Sequence, residues 1–209
     1  YWRISHKFGI EVPKSVEQAY AMDRKTGTTF WTEAISKEMK NVRVAFKKLE
    51  GVSENDMKHG KAKPGYKFCG THMIFDIKLD GKFTRKAHLV ANGHTTDAPS
   101  SITYLSVVSR ESVRLALILA SLYNLDIATC NIGNTYLIME CCEKLWTMAG
   151  PEFGKNNVSV MIIVQGLYGL KSSGAAWRAK LAETLRALRY SLTEADSDVW
   201  VKREVKPSG

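Results

Sequence analysis

The stretch LDIATCNIGNTYLIMECCEKLW, residues 125–146, limits the fold of this chain more than any other. Its first part, 125–137, alternates short apolar runs with small residues, and Asn131-Ile132-Gly133-Asn134 interrupts it. An apolar run bounded by turn formers reads as a buried strand that breaks at a small-residue turn. Strand ends of this kind border clefts, where side chains meet ligands and the backbone can approach them closely. A carboxylate at position 131 would read as a metal ligand, but the residue there is asparagine.

The remaining segments supply material to surround that strand. Residues 1–27 read as an irregular lead-in, with Pro13 and Gly27 as breakers. Thr28-Thr29 can cap a helix over 30–46, with Trp31, Ala34, Ile35, Met39, Val42, Ala45 and Phe46 on one core-facing stripe. The polar stretch 50–65 reads as a surface loop. Extended segments 66–79 and 82–90 follow, joined by Asp80-Gly81, a strong type I′ hairpin signal. The second arm carries Lys82, Arg85, Lys86 and His88. Such an arm can grip phosphates, although charges on a two-stranded ribbon are also its ordinary solvated face.

After a loop over 92–104, a helix over 111–123 is apolar around most of its circumference, which predicts burial in the domain centre. Residues 158–167 are β-branched and strand-like, 168–174 form a turn of small residues, and a helix runs over 175–189 with Trp177, Leu181, Leu185 and Leu188 on one face. A short strand at 199–201 follows Asp196-Ser197-Asp198. The fold class expected is α+β, with a mixed or antiparallel sheet and packed helices.

Composition narrows the function classes. With 209 residues, 44% hydrophobic and 24% charged, the chain has ample material for a core. No run approaches the roughly 18 apolar residues of a membrane-spanning helix, and residues 1–14 lack the apolar core of a secretory signal. The chain opens on Tyr rather than Met, and is read as a piece of a longer polypeptide. A net charge of +9 points to a polyanionic partner, with a plain basic protein as the alternative. Four cysteines, Cys69, Cys130, Cys141 and Cys142, form no CxxC pair, which disfavours zinc and suggests reduced thiols in an intracellular setting, cytoplasm or nucleus.

Three stretches stand together: RKAHLVANG at 85–93, NIGNTYL at 131–137, and LYGLK at 167–171 followed by Trp177. Together they resemble the reverse transcriptase domain of copia-type long-terminal-repeat retrotransposons. The likeness extends from Phe30-Trp31, Ala34 and Glu38 through Ser106-Val107-Val108, Arg114, Glu143, Leu145-Trp146 and Gly150-Pro151-Glu152-Phe153 to Asp198. The resemblance implies a right-hand polymerase, with 1–29 as lead-in, 30–108 as fingers bearing the basic hairpin, and 109–209 as a partial palm. It implies RNA-directed DNA polymerase chemistry with two Mg²⁺ ions, an RNA/DNA template-primer and a deoxynucleoside triphosphate as partners, and no membrane.

The resemblance also places residues. The family's first metal-binding aspartate falls at Asn131. Its paired aspartates would follow Asp198 in a Tyr-x-Asp-Asp string, and no such string occurs before Gly209. Tyr136 matches the aromatic that floors the sugar pocket, though a strand aromatic in the core is the plain alternative. Ile132 and Gly133 would offer backbone groups to the nucleotide. Lys86 matches a phosphate contact, and His88 stands where the family usually has arginine; an imidazole lacks the guanidinium fork, so grip on the triphosphate weakens. Gly169, Leu170 and Lys171 match the loop supporting the templating base, and otherwise read as a strand-to-helix turn with a solvated lysine. Arg114, Arg178 and Arg186 face either nucleic acid or solvent.

These readings imply a reverse transcriptase domain inactive as this chain, with Mg²⁺ weakly held or lost. The alternatives are a non-catalytic nucleic-acid-binding module, or a decaying retroelement fragment with no independent function.

Overall fold

The computed structural model describes residues 5–98, 103 and 106–203. Helices and sheets are mixed, as the α+β expectation required. The lead-in is more ordered than its composition suggested. Strands β1 (His6–Lys7) and β2 (Ile10–Glu11) form a small antiparallel hairpin, and helix α1 (Val16–Thr26) follows. Pro13 and Gly27 bracket α1 rather than prevent it: Ser15 caps its start, and Gly27 closes it in the left-handed region.

Helix α2 (Phe30–Val42) carries the expected stripe, with Trp31, Ile35, Met39 and Val42 buried. A 3-10 turn and strand β3 (Phe46–Lys48) then take over, earlier than the expected helix end at 46. The start of α2 is held from outside by Asp23 of α1. Its buried carboxylate accepts from Trp31 N–H (3.2 Å), Thr32 N–H (2.7 Å), the Thr32 hydroxyl (2.8 Å) and the Thr28 hydroxyl (3.3 Å). Asp23→Ala strands these donors. A urea melt of that variant is expected to show a loss of about 2–4 kcal/mol, more than an exposed cap costs.

The segment 50–65, expected to be loop throughout, contains helix α3 (Glu54–Lys58), which begins with a reciprocal capping box between Ser53 and Asp56. Strand β4 (Lys67–Phe68) joins one sheet, and after Cys69-Gly70 the chain crosses into another as strand β5 (Thr71–Ile77), paired antiparallel with strand β6 (Arg85–Ala91). The hairpin is present, but its tip is not a two-residue turn at Asp80-Gly81. Residues 78–84 form the tip, closed by Lys78 N–H on Thr84 O and by Asp80 Oδ1, which accepts from the Lys82 and Thr84 N–H groups. The cause is register. A tight Asp80-Gly81 turn would set Phe75 opposite Lys86, whereas the observed pairing sets buried Phe75 opposite buried Ala87 and Met73 opposite Leu89. This apolar face packs on α2, with Trp31 edge-on to Phe75 at 5.6 Å.

The larger sheet runs in the order β3–β8–β7–β4, where β7 is Glu140–Met148 and β8 is Val160–Gln165. Strand β7 lies later than the strand expected at 125–137. Both faces are covered along β8 and the second half of β7, which suits the unbroken apolar run at 160–164: Leu145, Met161 and Ile163 join the main core, while Trp146, Val160 and Ile162 meet Met57 of α3. Each such fully buried large side chain contributes about 1.5–3 kcal/mol.

Two expectations around the opening stretch fail. Residues 125–132 form no strand and are exposed; a 3-10 turn over Thr135–Ile138 takes the place of the strand's second half. No described strand lies alongside to complete a ladder, and a lone extended segment has nothing to pair with. Helix α4 (Arg110–Leu122) was expected at the centre but lies on the surface: only Ala120 is buried, and Leu115 and Leu122 are 60% and 73% exposed. Its apolar circumference states what it needs to bury, and no described element covers it. Its start is held by Asp196, which accepts from Ser109 N–H (3.0 Å) and the Ser112 hydroxyl (2.6 Å); these hydrogen bonds, that from Ser112 foremost, pull the Asp196 carboxyl down to about 2.

Helix α5 (Ser173–Ala187) begins two residues before the expected start. Trp177, Leu181 and Leu185 are half-buried on it, but Leu188 is exposed. Strand β9 (Ser191–Leu192), unforeseen, pairs with β10 (Trp200–Val201) at the expected terminal strand. Pro99 and Tyr104 of the 92–104 loop lie outside the described residues; within that loop Gly93–Thr95 form a 3-10 turn.

Candidate functional site

The end of β6 and the loop after β8 meet where backbones touch. Ala91 N–H donates to Tyr168 O at 2.8 Å. Gly169 has φ +90°, and a Cβ there would sit 2.0 Å from Ala91 O; a Cβ on Gly93 would sit 2.2 Å from Gly169 O. Glycine is required at both positions because nothing larger admits this approach. The loop is tied again on either side. Lys171 Nζ donates to Thr96 O, so it is half-buried and bonded rather than solvated. Glu143 of β7 accepts from the Ser172 hydroxyl (2.6 Å) and N–H (3.2 Å) at the start of α5.

This junction brings together side chains far apart in sequence. The Tyr168 ring packs edge-to-face with His88 of β6 (4.4 Å between centroids) and with Tyr136 (4.7 Å). The turn bearing Tyr136 is docked by Gly166, whose N–H donates to Met139 O and whose Cα faces Tyr136 O closely enough to exclude a Cβ. His88 Nδ1 lies 2.9 Å from Glu38 Oε1 of α2, which also accepts from Leu89 N–H at 3.1 Å. Tyr136, His88, Gly169, Leu170 and Lys171 therefore share one junction. Tyr168, Glu38, Thr96 and Glu143 complete it, without having been singled out for roles; Glu38 is a lone acid beside the buried stripe of α2, and Tyr168 sits inside the LYGLK string.

Lys86 is exposed and lies two residues from His88, hence on the same strand face. It stands opposite Asp76, whose side chain also pairs with Lys7 at 2.5 Å. Burial raises the Asp76 carboxyl, but hydrogen bonds from Lys7 and Ile77 N–H and the charges of Lys7 and Lys86 bring it below the ordinary range.

Asn131, Ile132 and Gly133 are not drawn into this junction. They are exposed, and a Cβ on Gly133 would meet nothing within 4 Å. Among the described residues, no three His, Cys, Asp or Glu side chains converge as a metal site would require. Asn131 offers a neutral amide oxygen and Asp126 is exposed, so these residues do not fit a pair of hard divalent cations. Of the basic residues left open, Arg178 pairs with Asp198 at 2.8 Å, Arg186 lies over the Trp200 ring, and Arg114 is exposed. A cavity of about 920 Å³ lies along β5, bordered by Val12, Glu17 and Glu152, and none of the expected site residues lines it.

All four cysteines are free. Burial pushes the Cys69 and Cys141 thiols up to about 11, while Cys130 and Cys142 are exposed. Brief iodoacetamide treatment of the native chain, read by mass spectrometry, should label Cys130 and Cys142 and leave Cys69 and Cys141 unmodified until denaturant is added.

The hairpin strand, aromatic turn and glycine loop belong to a chain of one class. Residues 59–207 match the family described as Reverse transcriptase (RNA-dependent DNA polymerase), and the chain belongs to that family. It is of the copia retrotransposon type that its motifs resemble. It is similar to the Transposon Ty1-BL Gag-Pol polyprotein of Saccharomyces cerevisiae (strain ATCC 204508 / S288c), 34% identical over 106 residues, which are 50% of this chain and 6% of that protein. It is likewise similar to the Transposon Ty1-NL2 Gag-Pol polyprotein of the same organism, 34% identical over 127 residues, 60% of this chain and 7% of that protein. The chain thus spans a small part of the curated relatives it matches. No solved structure matches it. Among the described residues, no helix is long and apolar enough to cross a membrane.

Proposed function

We propose that this chain is a retrotransposon-derived reverse transcriptase domain that binds nucleic acid and nucleotide but does not polymerise by itself. In this reading the β5–β6 hairpin with α2 forms the fingers, and β7, β8 and α5 belong to the palm. Lys86 meets phosphate, Tyr136 floors the sugar pocket, and Gly169, Leu170 and Lys171 shape the loop beneath the base pair. Asn131 stands at the family's metal-aspartate position, and Mg²⁺ is not held tightly. The observation that carries this reading is the junction of His88, Tyr136 and the 166–172 loop, which is built to close tolerances while residues 125–132 stay exposed. The free thiols fit an intracellular setting, cytoplasm or nucleus.

The test is binding of an RNA–DNA duplex by fluorescence anisotropy across salt. Contacts between Lys or Arg and phosphates release counterions, so affinity is expected to fall at least about tenfold from roughly 50 to 200 mM salt. Absent or salt-independent binding would sink the proposal. The exposed apolar α4 favours a second reading, a decaying fragment with no independent function. A cooperative thermal melt of the isolated chain, accompanied by duplex binding, would reject it.

A further inference from the structure

The hydrogen bond between Glu38 and His88 decides what the histidine can recognise. An ionised carboxylate only accepts hydrogen bonds, so the ring nitrogen 2.9 Å from Glu38 Oε1 must carry the proton. That nitrogen is Nδ1, and in the neutral ring Nε2 is then left with a lone pair. Glu38 is held in place, since the same oxygen accepts Leu89 N–H and its side chain is only 14% exposed, against 26% for His88. In its neutral form the ring therefore presents an acceptor at Nε2, with a carboxylate behind it and the Tyr168 ring beside it. An arginine at this position would present donors to an oxyanion. An imidazole lone pair backed by negative charge repels one.

We propose that His88, Tyr168 and Tyr136 recognise the neutral nucleoside part of a nucleotide, with His88 Nε2 accepting a hydrogen bond from a sugar hydroxyl or base amino group. Phosphate recognition is left to Lys86, whose charge is partly offset by Asp76 across the strand pair. The inference rests on the nucleotide-binding reading above and alters its chemistry at one position. Within it Glu38 is a positioning residue: it touches no ligand and acts through the tautomer it imposes.

The experiment uses the full chain with ¹⁵N-labelled histidine, at about pH 8, where an ordinary imidazole is neutral. Long-range ¹H–¹⁵N correlation spectra report the tautomer, and the His88 signals are assigned by their loss in His88→Gln. The expected pattern is Nδ1–H, with Nε2 shifting as adenosine or 2′-deoxyadenosine is added. The triphosphate dATP should produce that shift at lower concentrations than deoxyadenosine, but by less than about a hundredfold, because Lys86 alone engages its phosphates. In the near-isosteric Glu38→Gln, the amide can donate to Nδ1 and move the proton to Nε2, and nucleoside affinity is expected to fall roughly tenfold. An Nε2–H tautomer in the unaltered chain, or no Nε2 shift with nucleoside, overturns the inference; so does a shift requiring about a hundredfold less dATP than deoxyadenosine. Duplex binding measured on the same sample separates the two levels. Binding of duplex without a nucleoside shift overturns this inference alone, whereas loss of both overturns the functional reading with it.

Discussion

Primer extension with this chain is expected to give no incorporation above background with Mg²⁺ or Mn²⁺, and Asn131→Asp is expected to leave it there. Two-metal phosphoryl transfer needs anionic oxygens that hold both ions against the attacking and leaving groups. One carboxylate charge contributes about 4 kcal/mol at ~4 Å with an effective dielectric near 20, close to three decades in rate or affinity. An amide oxygen at Asn131 forgoes that charge. Restoring it does not restore a site, because residues 125–132 are exposed and form no strand, and no other carboxylates converge there among the described residues. Template-dependent incorporation by the unaltered chain would refute the reading of Asn131. Recovery in Asn131→Asp would show that the chain supplies the remaining ligands by an arrangement different from the one described.

The largest stability effect is expected from Gly169→Ala. Its Cβ would lie 2.0 Å from Ala91 O and 2.8 Å from Val90 Cγ1, and the backbone conformation at φ +90° is itself unfavourable for alanine. Steric displacement and strain together should cost about 3 kcal/mol or more. Gly93→Ala, which collides with Gly169 O from the other side, should fall in the same range. Gly133→Ala is the contrasting case, since its Cβ meets nothing within 4 Å, and should stay within about 0.5 kcal/mol of the parent. Urea denaturation of the three variants checks the order. A Gly169→Ala midpoint equal to that of Gly133→Ala would show that the junction is not closely packed.

Much of the fold could be read from local pattern. The stripe on α2, the paired arms of β5 and β6 and the apolar run of β8 all follow from periodicity, because each buries its face against a neighbour that exists. The failures share a different cause. Residues 125–132 and α4 have the composition of buried elements, but composition states a demand for partners and cannot show that they are there. Strand β7 was missed because ECCEK precedes its apolar part, and a register shift between Glu140 and Leu145 obscures the alternation. The Ser15 cap of α1 and the capping box of α3 are masked in the sequence by the polar residues around them. At the candidate site, Lys86, His88, Tyr136, Gly169 and Lys171 were picked out by the family resemblance, and four of these proved to be neighbours. Glu38 and Tyr168 were legible only once the rings and the carboxylate had positions.

The Gly93–Gly169 crossing also bears on how the chain acquires its shape during synthesis. Among the described residues, strand β3 finds its ladder in β8 and β4 in β7, and the end of β6, already paired with the start of β5, is closed on its other side by Tyr168 and Gly169. Each of these closures joins residues far apart in sequence, and the entropy of closing so long a loop is lost before the contact offers any reward. The hairpin and α2 are synthesised before β7 and β8, the strands that complete the larger sheet. Until those two strands arrive, the backbone edges of β3 and β4 remain open to pairing with whatever chain is nearest.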